Sequence, residues 1–243
     1  MKQKQLIFKA GCALVLCASL ALPGALAAWD DFQLLHTPSV RPQADGALSY
    51  QARELPTAYA LYRRRQLFGA QALEQSAEPS AAAPFLTQAT NALHDAGVLS
   101  EALYAKALTR LSAANAASQS HQDGFSFARC SESSQGDAPA SIESEWIDAT
   151  GIVTQYRITD VSCQDDPQAL LEAYQVYLGL QTLSDWQVLS PDLFSDGTAA
   201  AWSGEGQVYI YCCVNKDSLQ LGAASFSPAE FPFSGNILET ATV

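Results

Sequence analysis

Two adjacent cysteines stand in the run QVYIYCCVNK, residues 207–216, and they are the first residues here whose type and spacing suggest chemistry. A thiol pair can serve as a redox couple, as metal ligands or as half-disulfides, and each role needs the sulfurs to converge. The run alternates as a β-strand does. That sends Val208, Ile210, Cys212 and Val214 to one face and Tyr209, Tyr211, Cys213 and Asn215 to the other. The two thiols then point apart, which argues against a shared metal and against a disulfide between neighbours. Cys212 reads as a small buried hydrophobe on an aliphatic face, while Cys213, among tyrosines, keeps the option of a partner. Beyond the first 27 residues the cysteines are Cys130, Cys163, Cys212 and Cys213, an even set that an exported chain can pair. Cys130 and Cys163 fall on neighbouring predicted strands, so they can pair with each other or with the doublet. Packing remains the leading role, with Cys130, Cys163 and Cys213 the candidate disulfide or thiol positions.

Other chemistries have thinner support. The histidines are His36, His94 and His121, all outside the stretch with strand periodicity, and no HExxH, His-x-x-x-His or Cys-x-x-Cys pattern offers a metal site. A serine nucleophile on a sharp elbow would show as GxSxG, which does not occur, although a triad built from remote residues is defined by geometry alone. In PDLFSDG the carboxylates of Asp192 and Asp196 are interrupted by Leu193 and Phe194, which suits an Asp-Gly turn better than a calcium loop. Glu143 and Glu145 are spaced to share a strand face, as a hydrolytic carboxylate pair or as a solvated surface. Walker A and GxGxxG loops are missing, so no cofactor is implied. The one basic cluster, Arg63-Arg64-Arg65, spreads by about 100° per residue if helical and cannot make one flat patch. Arg65 is expected to snorkel or to pair with acids of the sheet domain while Arg63 and Arg64 stay solvated; the functional alternative is that Arg63 and Arg64 dock an acidic partner or wall-polymer phosphates.

The residues that would position these groups follow an export segment. Three lysines precede the uncharged apolar run Ala10–Ala28, Pro23-Gly24 breaks it, and Ala25-Leu26-Ala27 supplies a small-x-small cleavage pattern. Cleavage after Ala27 is the expectation, with an uncleaved anchor through residues 10–28 the competing one. Both place the rest of the chain outside the cytoplasm, secreted or anchored to the membrane. Removal of residues 1–27 takes three lysines and no acid, leaving 10 basic against 25 acidic side chains and a formal charge of about −15. Such a surface repels nucleic acid and anionic headgroups.

Residues 28–51 read as an irregular stalk and 52–115 as a small helical unit. Its predicted helices begin at Pro56, follow a linker over 76–84, and start again after the N-cap candidate Ser100. From Gly124 the period shifts to two. FSFARC, SIESEWID and GIVTQYRITDV are strands, a helix runs from Asp166-Pro167 to Gly179, and further strands fall at 186–189, 199–214 with a break at SGEG, and 219–226. The fold class expected is α+β: the helical unit followed, over 124–232, by an antiparallel sheet with one main packed helix, then a loose tail over 233–243.

The stretch ESEWIDATGIVTQYRITD resembles the closing hairpin of PepSY-type domains, which join two strands through Asp-x-x-Thr-Gly or a near variant. The matching positions are Asp148, Thr150 and Gly151, flanked by Trp146 and Ile152. In this chain the helix follows the hairpin, whereas a PepSY unit begins with its helix. The resemblance implies a non-catalytic module in membrane-anchored or secreted bacterial proteins, proposed to inhibit peptidases or tune partners near the wall, and carries over no catalytic residue. The function expected is a non-enzymatic exported or tethered domain that binds a protein, peptide or cell-wall component. The alternative is a small extracytoplasmic hydrolase or thiol enzyme with a non-local catalytic set.

Overall fold

A computed structural model of the chain describes residues 48–67, 75–132, 140–189 and 197–226, all within one compact unit, Ala44–Val243. The leader over 1–27, His36, most of the stalk, the Asp192 and Asp196 loop and the tail over 233–243 lie outside the described residues. The described elements are α1 (Tyr50–Arg53), α2 (Pro56–Leu67), β1 (Gln75–Ala77), α3 (Pro79–Asp95), α4 (Glu101–Ala113), β2 (Ala116–Gln122), β3 (Phe125–Ser131), β4 (Ser141–Ile147), β5 (Val153–Thr159), α5 (Pro167–Tyr177), β6 (Gln187–Val188), β7 (Thr198–Ser203), β8 (Val208–Asn215) and β9 (Ser218–Ser225). The strands form one sheet, ordered β1-β2-β3-β4-β5-β9-β8-β7-β6, and every pairing is antiparallel. The protein is therefore α+β. Among the described residues no helix is long and apolar enough to cross a membrane.

Local chemistry explains most boundaries. Pro79 and Pro167 occupy first-turn positions where a missing N–H is harmless, and the Asp166 carboxylate accepts from the Gln168 amide to cap α5. Gly97 and Gly179 stand at φ +74° and +70° just past α3 and α5, a conformation that a side chain would resist. Ser100 occupies the N-cap position of α4, yet its hydroxyl donates to Asp165 Oδ2 at 3.0 Å and ties the helix to the loop before α5.

The apolar stripes meet the sheet in a single core. Leu86 and Leu93 of α3, Leu103 of α4, and Leu171 and Tyr174 of α5 join Ile142, Tyr156, Ile158, Ile210, Cys212, Leu219 and Leu221 in one buried cluster. The helices of 52–115 and the strands of 124–232 thus share a core, and α3 and α4 pack on it as α5 does. A smaller cluster of Leu189, Ala200 and Trp202, with Tyr209, Tyr211 and Phe226 against it, lies apart from this core. The alternation read in QVYIYCCVNK is what β8 does: Val208, Ile210 and Cys212 are fully buried in the main core and the tyrosines join the smaller cluster.

Two segments differ from the expectation. Residues 76–84, read as a linker, supply the end of β1 and the first turns of α3. The polar run after α4 is not a loop; Ala116–Gln122 is β2, in register with β3 over seven residue pairs. Its side chains are mostly half-exposed near the sheet edge, so no apolar alternation marked it.

Candidate binding groove

Among the described residues the cysteine candidates are dispersed. Cys130, Cys163, Cys212 and Cys213 are all free thiols, with Cys130 and Cys212 buried and the other two half-buried. Burial pushes the Cys130 and Cys163 thiols up and the Cys212 thiol up further. That suppresses thiolate at neutral pH. Cys213 Sγ accepts a hydrogen bond from the Thr198 hydroxyl at 3.3 Å across the β7–β8 pair. Among the described residues no group of three or more His, Cys, Asp or Glu side chains is disposed to hold a metal.

The arginine cluster is sorted differently from the expectation. Arg64, read as solvated, forms an ion pair with Glu145 and lies over the Phe125 ring at 4.5 Å. Arg65 donates to Gln207 Oε1 at 2.8 Å and lies over the Tyr62 ring, and Arg63 stays exposed. Glu143 and Glu145 are each committed to cations: Glu143 sits between Arg129 and Arg157, at 3.9 and 3.4 Å, while the Glu145 carboxylate also accepts from Thr154 Oγ1 at 3.1 Å. Both carboxylates are thus held by arginines, the structural rather than the hydrolytic use of such a pair.

A different set converges at the other end of the sheet, where β1 to β4 and the N-terminal half of α3 enclose a groove of about 650 Å³. That volume falls in the ~300–1,000 Å³ range of small-ligand sites. Its wall is aromatic. Phe85 of α3 stacks on Trp146 of β4 with ring centroids 5.6 Å apart and planes 13° from parallel, and Phe85 keeps 48% of its surface exposed. Phe127 of β3 adds a third ring to the lining, and the strands contribute amides and hydroxyls.

Two hairpin tips position the polar end of the groove. The β2–β3 turn is Asp123-Gly124, both at positive φ (+56° and +80°), the pattern of a two-residue type I′ turn. It sets His121 opposite Ser126, and Ser126 opposite Trp146 on the next strand. The β4–β5 turn is the predicted one, with Gly151 at φ +70° and its amide donating to Ile147 O at 2.7 Å. Asp148 N–H donates to Gly124 O at 3.0 Å and joins the two tips, which brings the Asp148 carboxylate within 3.0 Å of His121 Nδ1. The Ser126 hydroxyl lies 3.0 Å from the same nitrogen.

Serine, histidine and aspartate therefore meet, but not as a catalytic triad. A triad engages the carboxylate through one ring nitrogen and the hydroxyl through the other, so that proton abstraction and orientation are separate tasks. Here one nitrogen faces both partners, and the ring is largely exposed. The arrangement orients polar groups along a groove wall. Sequence reasoning isolated His121 and Asp148 singly and missed their meeting; the Asp-Gly pair at 123–124 is the signal that would have placed a strand before it. Comparison of the chain with protein-family models, with curated proteins and with solved structures gave no match.

Proposed function

We propose that the protein is a non-enzymatic exported or membrane-tethered binding module and that the groove beside Phe85 and Trp146 is its ligand seat. The carrying observation is the groove itself: a stacked, part-exposed aromatic pair surrounded by hydrogen-bonding side chains, with the Ser126 and Asp148 contacts of His121 both made at one nitrogen. Apolar plates with a few convergent polar groups are how small-ligand sites fix orientation. The PepSY-type hairpin supports the same reading, because its Asp148 lies in the groove lining. The ligand is a peptide, protein segment or cell-wall component at the envelope, and nucleic acid is disfavoured by the acidic surface.

The hydrolase reading is the specific rival, since His121, Ser126 and Asp148 are adjacent. A fluorophosphonate probe separates the two. The binding reading expects Ser126 to react no faster in the folded chain than in the denatured one. Stoichiometric labelling of Ser126 in the native protein, lost in His121→Ala, would establish a hydrolytic site instead.

A further inference from the structure

We propose that the groove binds a short neutral saccharide; this rests on the ligand-seat reading and adds the chemistry of the occupant. Charge comes first. The chain carries a formal −12, yet among the described residues the groove lining contains one carboxylate, Asp148, already facing His121, and no lysine or arginine. A cationic peptide meets a carboxylate that is engaged, and an anionic wall polymer meets no fixed cation. A neutral ligand strands no charge.

The polar lining has a second property. It is built from Gln75, Gln119, Gln122, Ser76, Ser120 and Ser126. Every one of these groups is at once donor and acceptor, as sugar hydroxyls are, so vicinal hydroxyls can be matched without regard to their individual rotor positions. The third property is the flat plate. A pyranose ring has one face of C–H groups that carry partial positive charge, and an aromatic face carries the complementary negative quadrupole. Phe85, stacked on Trp146 and half open, offers such a face among amides and hydroxyls. Strand addition of a peptide to β1 is the competing use of this end of the sheet, and the described part of β1, Gln75–Ala77, is three residues long.

The test is a titration of the full chain with chitotriose, cellotriose and maltotriose, each read by the Trp146 indole N–H and the backbone amides of β2 in ¹H–¹⁵N spectra. At least one triose is expected to move these signals saturably, and Phe85→Ala, checked to be folded by its melting curve, is expected to weaken it at least tenfold. Gln119→Ala serves as a second variant that keeps the aromatic plate and should also lose affinity. No response to any triose overturns the proposal, as does a response that Phe85→Ala and Gln119→Ala leave unchanged. A neutral hexapeptide that moves the same signals when the trioses do not also overturns it while leaving the ligand seat intact. Native labelling of Ser126 by fluorophosphonate would instead remove the seat reading itself.

Discussion

Replacing Arg64 by methionine should strip the guanidinium from a nearly enclosed carboxylate while keeping the stem that packs on Phe125. The Glu145 side chain is 9% exposed and that of Arg64 39%. After the substitution Thr154 Oγ1 still donates to the carboxylate at 3.1 Å. Stranding one member of a buried pair costs about 3–5 kcal/mol, and water reaching the open arginine end lowers that to about 2–3 kcal/mol here. With a urea slope near 2 kcal/mol/M the unfolding midpoint should fall by about 1–1.5 M. Adding Glu145→Gln to the same chain removes the stranded charge and should restore at least about 1 kcal/mol, whereas Arg63→Ala should stay within about 0.5 kcal/mol of the parent. Chemical denaturation followed by far-UV dichroism reads all four proteins. An Arg64→Met midpoint indistinguishable from the parent would refute the reasoning, because it would mean the pair is solvated and does not tie α2 to β4.

Glycine positions separate conformational strain from steric overlap: Gly151→Ala has open space and should cost about 1–2 kcal/mol, while Gly197→Ala, at φ +83° with its Cβ 2.1 Å from Val214 O, should cost distinctly more in the same assay. Equal losses at the two sites would contradict this. Iodoacetamide on the native chain should leave Cys130 and Cys212 unmodified until denaturant is added, and Cys163 and Cys213, both half-buried, should react first; mass mapping after timed quenching checks the order. Burial raises Tyr156, Tyr174, Tyr177, Tyr209 and Tyr211, with Tyr209 pushed up to about 12. The folded chain then holds phenols neutral that the unfolded chain ionises near 10. Stability is full below about pH 10 and falls as pH rises beyond it, by up to about 1.4 kcal/mol per pH unit for each fully buried tyrosine. Tyr156→Phe should flatten that decline by about one such increment, and an unchanged slope would show that the phenol is not enclosed.

Strong periodicity made much of this fold legible. The β8 run declared its two faces, and the Asp166-Pro167 start and Gly179 stop marked α5, because burial on one side writes itself into every second or every third and fourth residue. Where burial is weak, that writing fades. β1 is a short edge strand and β2 a polar one, and together they supply seven of the twelve described residues lining the groove. The Asp-Gly pair at 123–124 carried the missing information as turn chemistry. The ion pair of Arg64 with Glu145 was illegible for another reason: 81 residues separate the partners, and only the packing of α2 against the sheet decides which of three consecutive arginines turns inward. Similarly, Trp146 and Phe85 announce nothing in sequence until α3 lies across the strands.

The central claim, that the groove between α3 and the β1–β4 end of the sheet is a non-catalytic ligand seat, is tested most directly by mapping where a ligand lands. A soluble digest of cell-wall glycan with its stem peptides, titrated into the ¹⁵N-labelled full chain, is predicted to shift amides of β1, β2 and the 148–151 turn, with no product formed and the response lost in Phe85→Ala. Shifts confined to other surfaces, an unchanged response in that variant, or cleavage of the digest that depends on Ser126 would contradict the account.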